Sequence, residues 1–579
     1  MQLWLPHALS GDSVEVSVGG LDVRVSGGRD IAVTHVADGV WVIDAPGATG
    51  AQWRVPCVST TAFWTPDSGP RWVPPIWNGP KTSRLTAGAP VVSLVGTGDA
   101  NVCTAALDGS AGLSRLSGGL IEETGEFVFT IDHEGPALRL RLDLSTGPFS
   151  AALAGVAAWW GEGRELPQTP RAARLPAYST WYSMHQEVSE ESVELQSRLS
   201  KELGCETIIV DDGWQTADRA RGYAFCGDWG PNLSAFPDIS AHVKRVQDIG
   251  QAYMLWYAIP FVGKENAAFE RFEGKFLRYL DLMDAGVLDP RHPDVREFLI
   301  DRLSQAVEKW GMDGLKIDFV DRFATPGGDP APGEGTDCEE VDEGVRRLLH
   351  ELDTRLRRTR PEVLIEHRQP YTHPGLWPYA NMVRAVDCPL SPQENRQRTV
   401  DLRLTAGPVA VHSDMILWHP SEPAEQVAVH LINALFSVPQ ISVDLTAQTS
   451  DQLAAIGFWL GIFRRHLETL QLGVLEPAQP EHGYPLVRAY DEQTMVIARY
   501  GPLPVAVPAS GWREFLVANA APDSHVVLLG AEAESVQATV YDCGGRLLSA
   551  ATLRLEAGAN LVTVPMGGLL KLYRRTEEE

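Results

Sequence analysis

The chain contains 579 residues, 44% of them hydrophobic and 21% charged, which is enough for large cores and too many for one ordinary domain. Lys and Arg number 49 against 75 Asp and Glu, so the formal charge of −26 argues against nucleic acid or an anionic membrane surface as a partner. We therefore expect two or three domains and a neutral or weakly polar small-molecule substrate.

Residues 1–165 are predicted to form an N-terminal β-sandwich. Stretches such as SVEVSVGGLDVRVSGG and EFVFTIDHEGPALRLRLDL alternate apolar and polar residues and are interrupted by Gly and Asp, as antiparallel strands and their turns are. Within this part, FWTPDSGPRWVPPIWNGP is rich in aromatic residues and proline, which indicates a loop.

Residues 166–473 are predicted to form a central (β/α)8 TIM barrel. Short apolar runs alternate here with loops and amphipathic helices, and there are eight of them, as such a barrel requires. The helix in HPDVREFLIDRLSQAVEKWG is expected to begin at Pro293 and to end before Gly311. Few residues separate the fifth and sixth runs, so the helix between them is expected to be short or missing. The runs are PAYSTWYS, ETIIVDD, AYMLWYAIP, GLKIDFV, VLIEHRQ, MVRAVDC, PVAVHSD and PQISVDL.

Residues 474–579 are predicted to form a C-terminal antiparallel β-sandwich. The stretches VQATVYDCGGRLLSAATLRL and NLVTVPMGGLLKLY have the alternation and the glycine turns of hairpins. A barrel between two β-rich flanks makes this a multidomain α/β chain.

The location of the protein is predicted from features that the sequence lacks. Its start shows no signal-peptide pattern, and no later stretch reaches the roughly 20 apolar residues of a membrane span. The 7 cysteines are scattered without a CxxC pair, so neither a disulfide framework nor a zinc site is expected. We expect a cytoplasmic protein that does not associate with membranes.

The fourth run carries Lys316 and Asp318 on the same face. In a barrel strand alternate residues point inward, and those at the C-terminal end reach the mouth, where barrel enzymes place their chemistry. We therefore expect Lys316 and Asp318 to face a polar ligand, and Ile317 and Phe319 to face the surrounding helices.

The other runs also end in polar or aromatic residues that are expected to reach this mouth. Such a set suits a sugar, since hydroxyls need hydrogen-bonding groups and the C–H face of a pyranose needs a flat apolar one. The residues are Asp211 and Asp212 of the second run, Arg368 of the fifth, Asp387 of the sixth, His412 and Asp414 of the seventh, and Trp181 and Trp256 of the first and third.

Each of these residues also has a purely structural interpretation. Asp-Asp-Gly after a strand is a common turn sequence, and single tryptophans are often core residues. The structural alternatives are core packing for Trp181 and Trp256, a buried ion pair between Lys316 and Asp318, a supporting pair of His412 and Asp414, and a solvated loop pair of Asp321 and Arg322.

The motifs VDDGWQ and GLKIDF, followed by an Arg-containing fifth strand and an Asp after the sixth, resemble glycoside hydrolase family 36, the retaining α-galactosidases of clan D. The resemblance covers nearly the whole chain, because it implies an N-terminal β-supersandwich, a central barrel and a C-terminal β-sandwich. It also implies a small-molecule carbohydrate as partner, with no cofactor and no metal. The family is often multimeric, so a homo-oligomer is possible, but the sequence leaves the oligomeric state open.

The resemblance implies roles for residues at matching positions. Asp318 stands in the place of the acid of Leu-Lys-Trp-Asp and would be the nucleophile, and Asp387 would be the acid/base. With the strand-end positions, it makes the following residues candidates for sugar binding: Asp211, Asp212, Lys316 and Arg368, the walls Trp214 and Trp256, and Trp181 and His412.

An N-terminal loop can lean over the site in this family. Here that loop would bring Trp64, Trp72 or Trp77 to the mouth. A surface loop or a subunit contact is the alternative interpretation of the same segment.

The sequence also departs from the family pattern. Ile317 replaces the usual tryptophan, and VDCPLSPQENRQR differs from the Ser-Asp-Asn-Thr-Asp surroundings of the acid/base. EHRQPYTHPGLWPY stands where the family has a Cys-Ser-Gly-Gly segment. These differences indicate a divergent branch, in which the mechanism is expected to persist while the sugar stays open.

The retaining mechanism requires two carboxyl groups with different charges. They lie about 5 to 5.5 Å apart, one ionised to attack the anomeric carbon and one protonated to assist the leaving group. Asp318 is expected to stay ionised beside the Lys316 ammonium. Asp387, within the apolar sequence VDCP, is expected to have a raised pKa.

Other functions remain open from the sequence. β-L-Arabinopyranosides share the ring stereochemistry of galactose, α-N-acetylgalactosaminides differ at C2, and transfer to another sugar could replace hydrolysis. A metal-dependent barrel hydrolase would hold a divalent ion on Asp212, Asp318 and Asp387, although Lys316 would repel it. A non-catalytic carbohydrate-binding protein is the third class, since a fold does not determine function.

Overall fold

Antiparallel sheets form the N-terminal part of the chain in the computed structural model, which describes Leu9 and residues 11–66, 77–109 and 112–574. The strands are β1 (Ser13–Val18), β2 (Leu21–Ser26), β3 (Ala32–Ala37), β4 (Val40–Pro46), β5 (Gly50–Pro56), β6 (Thr60–Trp64), β7 (Trp77–Ser83), β8 (Val91–Gly96), β9 (Ala100–Leu107), β10 (Leu113–Ile121), β11 (Glu126–Glu134) and β12 (Ala137–Asp143). They pair in the orders β1-β2-β5-β11-β10-β7 and β3-β4-β12-β9-β8-β6, as a sandwich of two sheets predicts. Trp53 stacks on Phe129 in its core, with ring centroids 5.0 Å apart.

A hydrophobic helix, α1 (Phe149–Gly161), leads from the sandwich towards the barrel. Near its end, the Trp160 Nε1 donates to the carbonyl oxygen of Leu107 in β9 at 2.6 Å. The Trp160 ring also meets the Trp377 ring edge-on, with centroids 6.0 Å apart. Through Trp160, helix α1 therefore contacts the end of β9 in the sandwich on one side and the barrel on the other.

Parallel strands form the barrel, and each lies within one of the eight predicted runs. Three short antiparallel strands between the third and fourth barrel strands were not predicted: β16 (Phe261–Gly263), β17 (Phe276–Leu280) and β18 (Ala285–Leu288). The barrel strands are β13 (Ala177–Ser179), β14 (Thr207–Val210), β15 (Ala252–Ala258), β19 (Gly314–Asp318), β20 (Leu364–Arg368), β21 (Met382–Arg384), β22 (Ala410–His412) and β23 (Gln440–Ile441). The sheet runs from β22 back through β13 to β23, and a bridge between His412 and Val438 nearly closes it. The predicted (β/α)8 barrel is confirmed.

Helices surround the barrel: α2 (Trp181–Met184), α3 (Glu190–Leu203), α4 (Ile239–Ile249), α5 (Ala268–Arg271), α6 (Pro293–Glu308), α7 (Val341–Thr359), α8 (Pro392–Thr405), α9 (Ala424–Asn433), α10 (Ser450–Arg465) and α11 (Leu467–Leu472). Helix α6 begins at Pro293, as predicted, because proline fits the first turn, where its missing N–H is not needed. Between β20 and β21 the chain forms only a 3₁₀ helix, Pro374–Tyr379, so the short connection expected there is confirmed.

The C-terminal part is again made of β-strands. They are β24 (Val474–Ala478), β25 (Leu486–Tyr490), β26 (Thr494–Arg499), β27 (Val505–Val507), β28 (Glu514–Asn519), β29 (His525–Gly530), β30 (Glu534–Tyr541), β31 (Leu547–Leu555), β32 (Gly558–Thr563) and β33 (Leu569–Tyr573). Most pairs are antiparallel, but β26 pairs with β28 and β27 with β29 in parallel, which local alternation did not reveal. Among the described residues, no helix is long and apolar enough to cross a membrane.

A buried hydrogen-bonded cluster joins all three parts of the chain. The indole Nε1 of Trp64, at the end of β6, donates to Asp401 Oδ1 at 2.8 Å and to the Tyr484 hydroxyl at 2.9 Å. The Tyr484 hydroxyl itself donates to Asp401 Oδ1 at 2.5 Å. Asp401 lies on α8 of the barrel, and Tyr484 lies two residues before β25. We call this set the Trp64 junction.

Candidate active site

Asp318 ends the fourth barrel strand and is held by three hydrogen-bond donors. The Trp256 Nε1 donates to Oδ2 at 2.9 Å, and the Phe319 amide donates to Oδ1 at 2.7 Å. The Arg368 Nε, from the end of the fifth strand, donates to the same Oδ1 at 2.5 Å. The carboxylate is therefore fixed in orientation by residues of three successive strands of the sheet.

The charge of Asp318 is stabilised by its cationic neighbours. Burial alone would raise the pKa of Asp318, but Arg368, then Lys316 and Arg384, together hold it below its ordinary value. The expectation that Asp318 is ionised agrees with this shift. Its direct partner is Arg368, however, whereas we predicted Lys316, because side-chain length and direction cannot be read from spacing alone.

Lys316 instead forms a buried ion pair with Asp211. Its Nζ lies 2.5 Å from Asp211 Oδ2, and both side chains are 4% exposed. Asp211 Oδ1 also accepts the backbone amide of Asp212 at 2.9 Å. A direct Lys316–Asp318 pair, the structural alternative for this lysine, is thus not the arrangement found.

Asp212 is clamped by two amide side chains. Gln186 Nε2 donates to Oδ2 at 2.8 Å and Gln215 Nε2 to Oδ1 at 2.6 Å. Burial raises the pKa of Asp212 to about 6, although both hydrogen bonds act against it. The next residue, Gly213, has a φ of +110°, and a Cβ there would lie 2.5 Å from the Gln186 Cα. Only glycine therefore fits the turn that presents the two aspartates.

Asp387 follows the sixth strand by three residues, and its side chain is 52% exposed. Its Oδ1 accepts a hydrogen bond from Arg384 Nη1 at 2.9 Å. Burial would raise the pKa of Asp387, but Arg384 and then Lys316 outweigh it and the pKa is lowered. The raised pKa that we predicted is wrong, because the partner that decides it is a cation from the strand and not the apolar neighbours in the sequence.

Arg384 is the functional candidate that sequence reasoning missed. It is 1% exposed and lies on β21, where its Nη1 contacts both Asp387 and, at 2.6 Å, Asp414. Its Nε lies 3.8 Å from Glu366 of the neighbouring strand. The signal was present in MVRAV, where the position two residues after a buried Met382 points into the barrel as Lys316 does.

Asp318 and Asp387 belong to one electrostatic cluster. Both carboxylates act to raise the pKa of the same cation, Arg384, and the Asp318 charge acts to raise the pKa of Asp387. Arg384, Lys316 and Arg368 lower the pKa of both carboxyl groups. The two acids predicted to be catalytic are therefore brought to the same barrel mouth.

Aromatic residues form a wall beside Asp318. Phe319 has a φ of +65° and turns out of the strand, so its ring lies 5.0 Å from Phe261 and 6.5 Å from Trp256. The expectation that Phe319 faces the helices is therefore wrong. Tyr223, which sequence reasoning missed in YAFCGDW, lies 5.4 Å from Phe319, and its pKa is raised by burial and then by Asp318 and Asp212.

The predicted tryptophans differ in position. Trp256 touches Asp318 through its indole, whereas Trp214 is 0% exposed and donates to the Trp256 carbonyl oxygen from behind. Trp214 is thus a core residue, and its prediction as a wall of the mouth is wrong. Trp181 lies in the short helix after β13, is partly exposed, and meets His185 edge-on at 4.7 Å.

His412 does not reach the mouth. It is 0% exposed, with Nε2 2.7 Å from the Ala173 carbonyl oxygen and Nδ1 3.1 Å from Gln440 Nε2. Burial lowers the pKa of His412 to about 4, so the ring is neutral at physiological pH. The prediction of His412 as a substrate-binding residue is wrong. His412 also does not pair with Asp414, whose Oδ1 accepts a hydrogen bond from Arg384 instead.

The remaining sequence candidates lie outside the mouth or outside the described residues. Trp64 is buried in the Trp64 junction, so it does not lean over the site. Trp72 and the side chain of Trp77 lie outside the described residues. Asp321 and Arg322 pair at 3.5 Å in the 3₁₀ helix Val320–Phe323 after β19. The pair is not a solvated loop pair as predicted, because the Asp321 side chain is only 17% exposed and burial raises its pKa.

The oxygens of Asp212, Asp318 and Asp387 do not converge on one point. Among residues 11–66, 77–109 and 112–574, only Glu190, Glu194 and His242 bring ligand atoms within 4.8 Å of one another. There, Arg245 already pairs with both carboxylates, at 2.6 and 2.7 Å. This arrangement gives the metal-dependent interpretation no support.

Arg368→Met is expected to destabilise the protein by about 3 kcal/mol at pH 7, because it leaves the buried Asp318 carboxylate without its direct cation. Since the pKa of Asp318 is depressed in the fold, this stabilisation is complete above its unfolded pKa of about 4 and is lost as the pH falls towards the folded value. Urea denaturation at pH 7 and pH 3.5 should show the difference from wild type shrinking in acid. Arg322→Met, which removes the exposed partner of Asp321, is the control, and a pH-independent difference would contradict the prediction.

Comparison with known proteins relates this site to a family. The Melibiase family model matches residues 174–391, which include β13 to β21 and both Asp318 and Asp387. Curated relatives include α-galactosidase 2 of Pediococcus pentosaceus, 26% identical over 208 residues, and α-galactosidase AgaA of Geobacillus stearothermophilus, 22% identical over 196 residues. The alignments cover 34% and 32% of this chain but only 28% and 26% of those proteins.

Solved structures resemble the chain over almost its whole length. The α-galactosidase of Lactobacillus brevis has a TM-score of 0.64 at 14% identity, over 97% of this chain and 81% of that one. A variant of AgaA from Geobacillus stearothermophilus in complex with raffinose has a TM-score of 0.63 at 14% identity, over 99% and 84% of the two chains. The resemblance found in the sequence is thus confirmed: residues 174–391 match the Melibiase family, within a chain that has the fold of glycoside hydrolase family 36 α-galactosidases.

Proposed function

We propose that the chain is a retaining exo-α-glycosidase that hydrolyses terminal α-D-galactosides, with Asp318 as nucleophile and Asp387 as acid/base. The observation that carries this proposal is the Asp318 carboxylate, held ionised by Arg368, Trp256 and the Phe319 amide in the same cluster as Asp387. Two carboxyl groups with separate partners at one barrel mouth suit a double displacement. The fold shared with family 36 α-galactosidases supports the same chemistry.

The reaction would proceed in two steps. An Asp318 oxygen attacks the anomeric carbon and forms an ester bond, while the bond to the aglycone oxygen breaks and that oxygen takes a proton from Asp387. Water then attacks the same carbon, gives its proton to Asp387, and the ester bond breaks to restore the Asp318 carboxylate. Two inversions leave the product with the anomeric configuration of the substrate.

The electrostatics of Asp387 differ between the two steps. While Asp318 is ionised, its charge acts to raise the pKa of Asp387, but Arg384 and Lys316 outweigh it, so the protonated form that the first step requires is favoured only in acid. Esterification removes that charge, so the pKa of Asp387 should fall further under the influence of Arg384, as a general base requires. The charge of one aspartate thereby controls the proton affinity of the other.

Turnover is expected to be greatest on the acid side of neutrality. The first step needs Asp387 protonated and Asp318 ionised; both pKa values are lowered, and Asp318 also has its direct bond to Arg368. The rate constant kcat/KM should therefore rise as the pH falls from 8 towards 5. A pH–rate profile on nitrophenyl α-galactoside measures this, and a maximum above pH 8 would contradict it.

The sugar is proposed from the neighbours and from the two aspartates beside the mouth. Solved structures of similar fold contain raffinose and stachyose, and we propose that Asp211 and Asp212, directly after β14, bind the sugar hydroxyls. β-L-Arabinopyranosides, α-N-acetylgalactosaminides and transfer to a second sugar are kept as alternatives within the same mechanism. The division at residues 165 and 473, the cytoplasmic location and a homo-oligomer stay predictions.

A hydrolysis screen tests the proposal. Nitrophenyl α-galactoside, β-L-arabinopyranoside, α-N-acetylgalactosaminide and α-glucoside are offered with and without a chelator, and the first anomer released is identified by NMR. We expect α-galactoside to be cleaved fastest, with retention and without loss on chelation. Inversion, or sugar binding without cleavage of any glycoside, would contradict the proposal, and loss of activity on chelation would favour the metal-dependent alternative.

A further inference from the structure

Asp414 is a buried carboxylate of the barrel that the two-step mechanism does not use. It follows β22 by two residues, is 0% exposed, and accepts hydrogen bonds on both oxygens. Arg384 Nη1 donates to Oδ1 at 2.6 Å, while the Cys388 amide donates to Oδ2 at 2.7 Å and the Tyr182 hydroxyl to Oδ2 at 3.1 Å. Three donors from two chain segments, residues 384–388 and the short helix α2, thus meet on one side chain.

Two of these donors flank Asp387 in the sequence. Arg384 precedes Asp387 by three residues and binds it directly through the same Nη1, and Cys388 follows it immediately. Asp414 therefore holds the segment that carries Asp387 on both sides. This matters because Asp387 lies beyond the end of β21, is 52% exposed, and has no strand pairing of its own to fix it.

Asp414 is itself held in place by its backbone. The Asp414 amide donates to Asn395 Oδ1 at 3.0 Å, and Asn395 Nδ2 donates to the Asp414 carbonyl oxygen at 3.0 Å. Asn395 lies in the first turns of α8, so the carboxylate is anchored to the helix that follows the sixth strand. A rigidly placed carboxylate is able to position a flexible neighbour.

We propose that Asp414 is a positioning residue for Asp387: by binding Arg384 and the Cys388 amide together, it fixes the loop from which Asp387 gives and takes its proton. This inference rests on the proposed function, because it assigns Asp387 the acid/base role. It concerns proton transfer to the leaving group and not attack by Asp318, so the two effects can be separated by the choice of leaving group.

The charged groups around the pair are shared with the catalytic cluster. Arg384 faces Asp387, Asp414, Glu366 and Asp318, and the Tyr182 hydroxyl lies near both Asp414 and Asp387. Burial raises the pKa of Asp414 to about 6 although Arg384 acts against it, so Asp414 is ionised at pH 7. The variants are therefore compared at pH 7, where the side chain accepts all three hydrogen bonds.

Asp414→Asn is the test variant because an amide cannot satisfy the same three donors. Its single oxygen accepts from either the Arg384 side or the Cys388 side, and its NH2 group then faces an N–H on the other. We expect kcat/KM for methyl α-galactoside to fall on the order of 10- to 100-fold. For α-galactosyl fluoride, kcat/KM reports ester formation, which needs no proton on the leaving group, and should fall by less than about threefold. KM for methyl α-galactoside should change little, because the buried Asp414 does not face the sugar.

Two further variants separate positioning from general stability. Asp143→Asn neutralises another buried aspartate, in the N-terminal sandwich, where it accepts hydrogen bonds from Asn101 and Ser145, and it should lower thermal stability without a difference between the two substrates. Tyr182→Phe removes only one hydrogen bond to Asp414 and should reproduce the leaving-group difference more weakly. Equal losses on both substrates in Asp414→Asn, or no loss on either, would overturn the proposal.

The failure of this inference is distinguishable from the failure of the proposed function. If the wild type cleaves no glycoside, the proposed function fails, and crystal structures of the wild type and Asp414→Asn still test the positioning. We expect the variant to lose one of the two hydrogen bonds to the side chain at position 414, from Arg384 or from the Cys388 amide. The loop at residues 385–390 should then shift or become disordered. An unchanged loop with Asp387 still bound to Arg384 would overturn the positioning role.

Discussion

Asp318→Ala is expected to lower kcat on nitrophenyl α-galactoside by about 10⁴-fold or more, because no other oxygen nucleophile is held at that position. Asp318 is the carboxylate on which Arg368, Trp256 and the Phe319 amide converge, and its neighbouring cations hold its pKa below the ordinary value. Stopped-assay kinetics at high enzyme concentration measure the residual rate.

Azide distinguishes a missing nucleophile from a damaged fold. In Asp318→Ala the space left by the carboxylate can admit azide, which would attack the anomeric carbon as the nitrophenolate leaves and give the β-azide. Asp321→Asn, in the loop three residues further on, is the matched control and should keep most of the activity. Activity of Asp318→Ala within tenfold of the wild type would contradict the assignment.

Asp387→Ala is expected to have the second largest effect, and its size should depend on the leaving group. General acid catalysis contributes about 10²- to 10⁴-fold, so kcat on methyl α-galactoside should fall by that factor. The fluoride ion leaves without a proton, so the step that forms the ester from α-galactosyl fluoride should be nearly unaffected. Rates over a series of aglycones measure this as a steeper dependence on leaving-group pKa.

The prediction for Asp387→Ala has a matched control variant and a defined contrary outcome. Glu394→Gln removes an acid at the start of α8 that pairs with Arg398 and should behave as the wild type on both substrates. If Asp387→Ala instead abolishes turnover of the fluoride, while Asp318→Ala spares it, the two roles are exchanged.

The barrel was predictable because periodicity and strand ends determine it. The buried runs ending in Asp211, Asp318 and Arg368 correspond to β14, β19 and β20, and parallel strands bring such ends together at one mouth. The C-terminal parallel pairs were missed because alternation in a strand does not reveal the direction of its neighbour.

The contacts within the site depend on tertiary structure, and several predictions about individual side chains were wrong there. Trp214 and His412 occupy strand-end positions but their side chains are buried against Trp256 and Ala173, since depth below the mouth cannot be read from the position along a strand. The pKa of Asp387 followed Arg384, three residues away, and not its apolar neighbours. Sequence neighbours predict an environment poorly when a long cationic side chain reaches across.

The Trp64 junction makes the flanking β-domains part of the barrel's own fold. Cutting the chain after β6 or before Tyr484 would take hydrogen-bond partners from Asp401, which is 1% exposed on α8. Helix α8 also carries Asn395, the anchor of Asp414. An excised barrel would thus lose support on the side that carries Asp387, the proposed proton donor, and we expect activity to require both flanks.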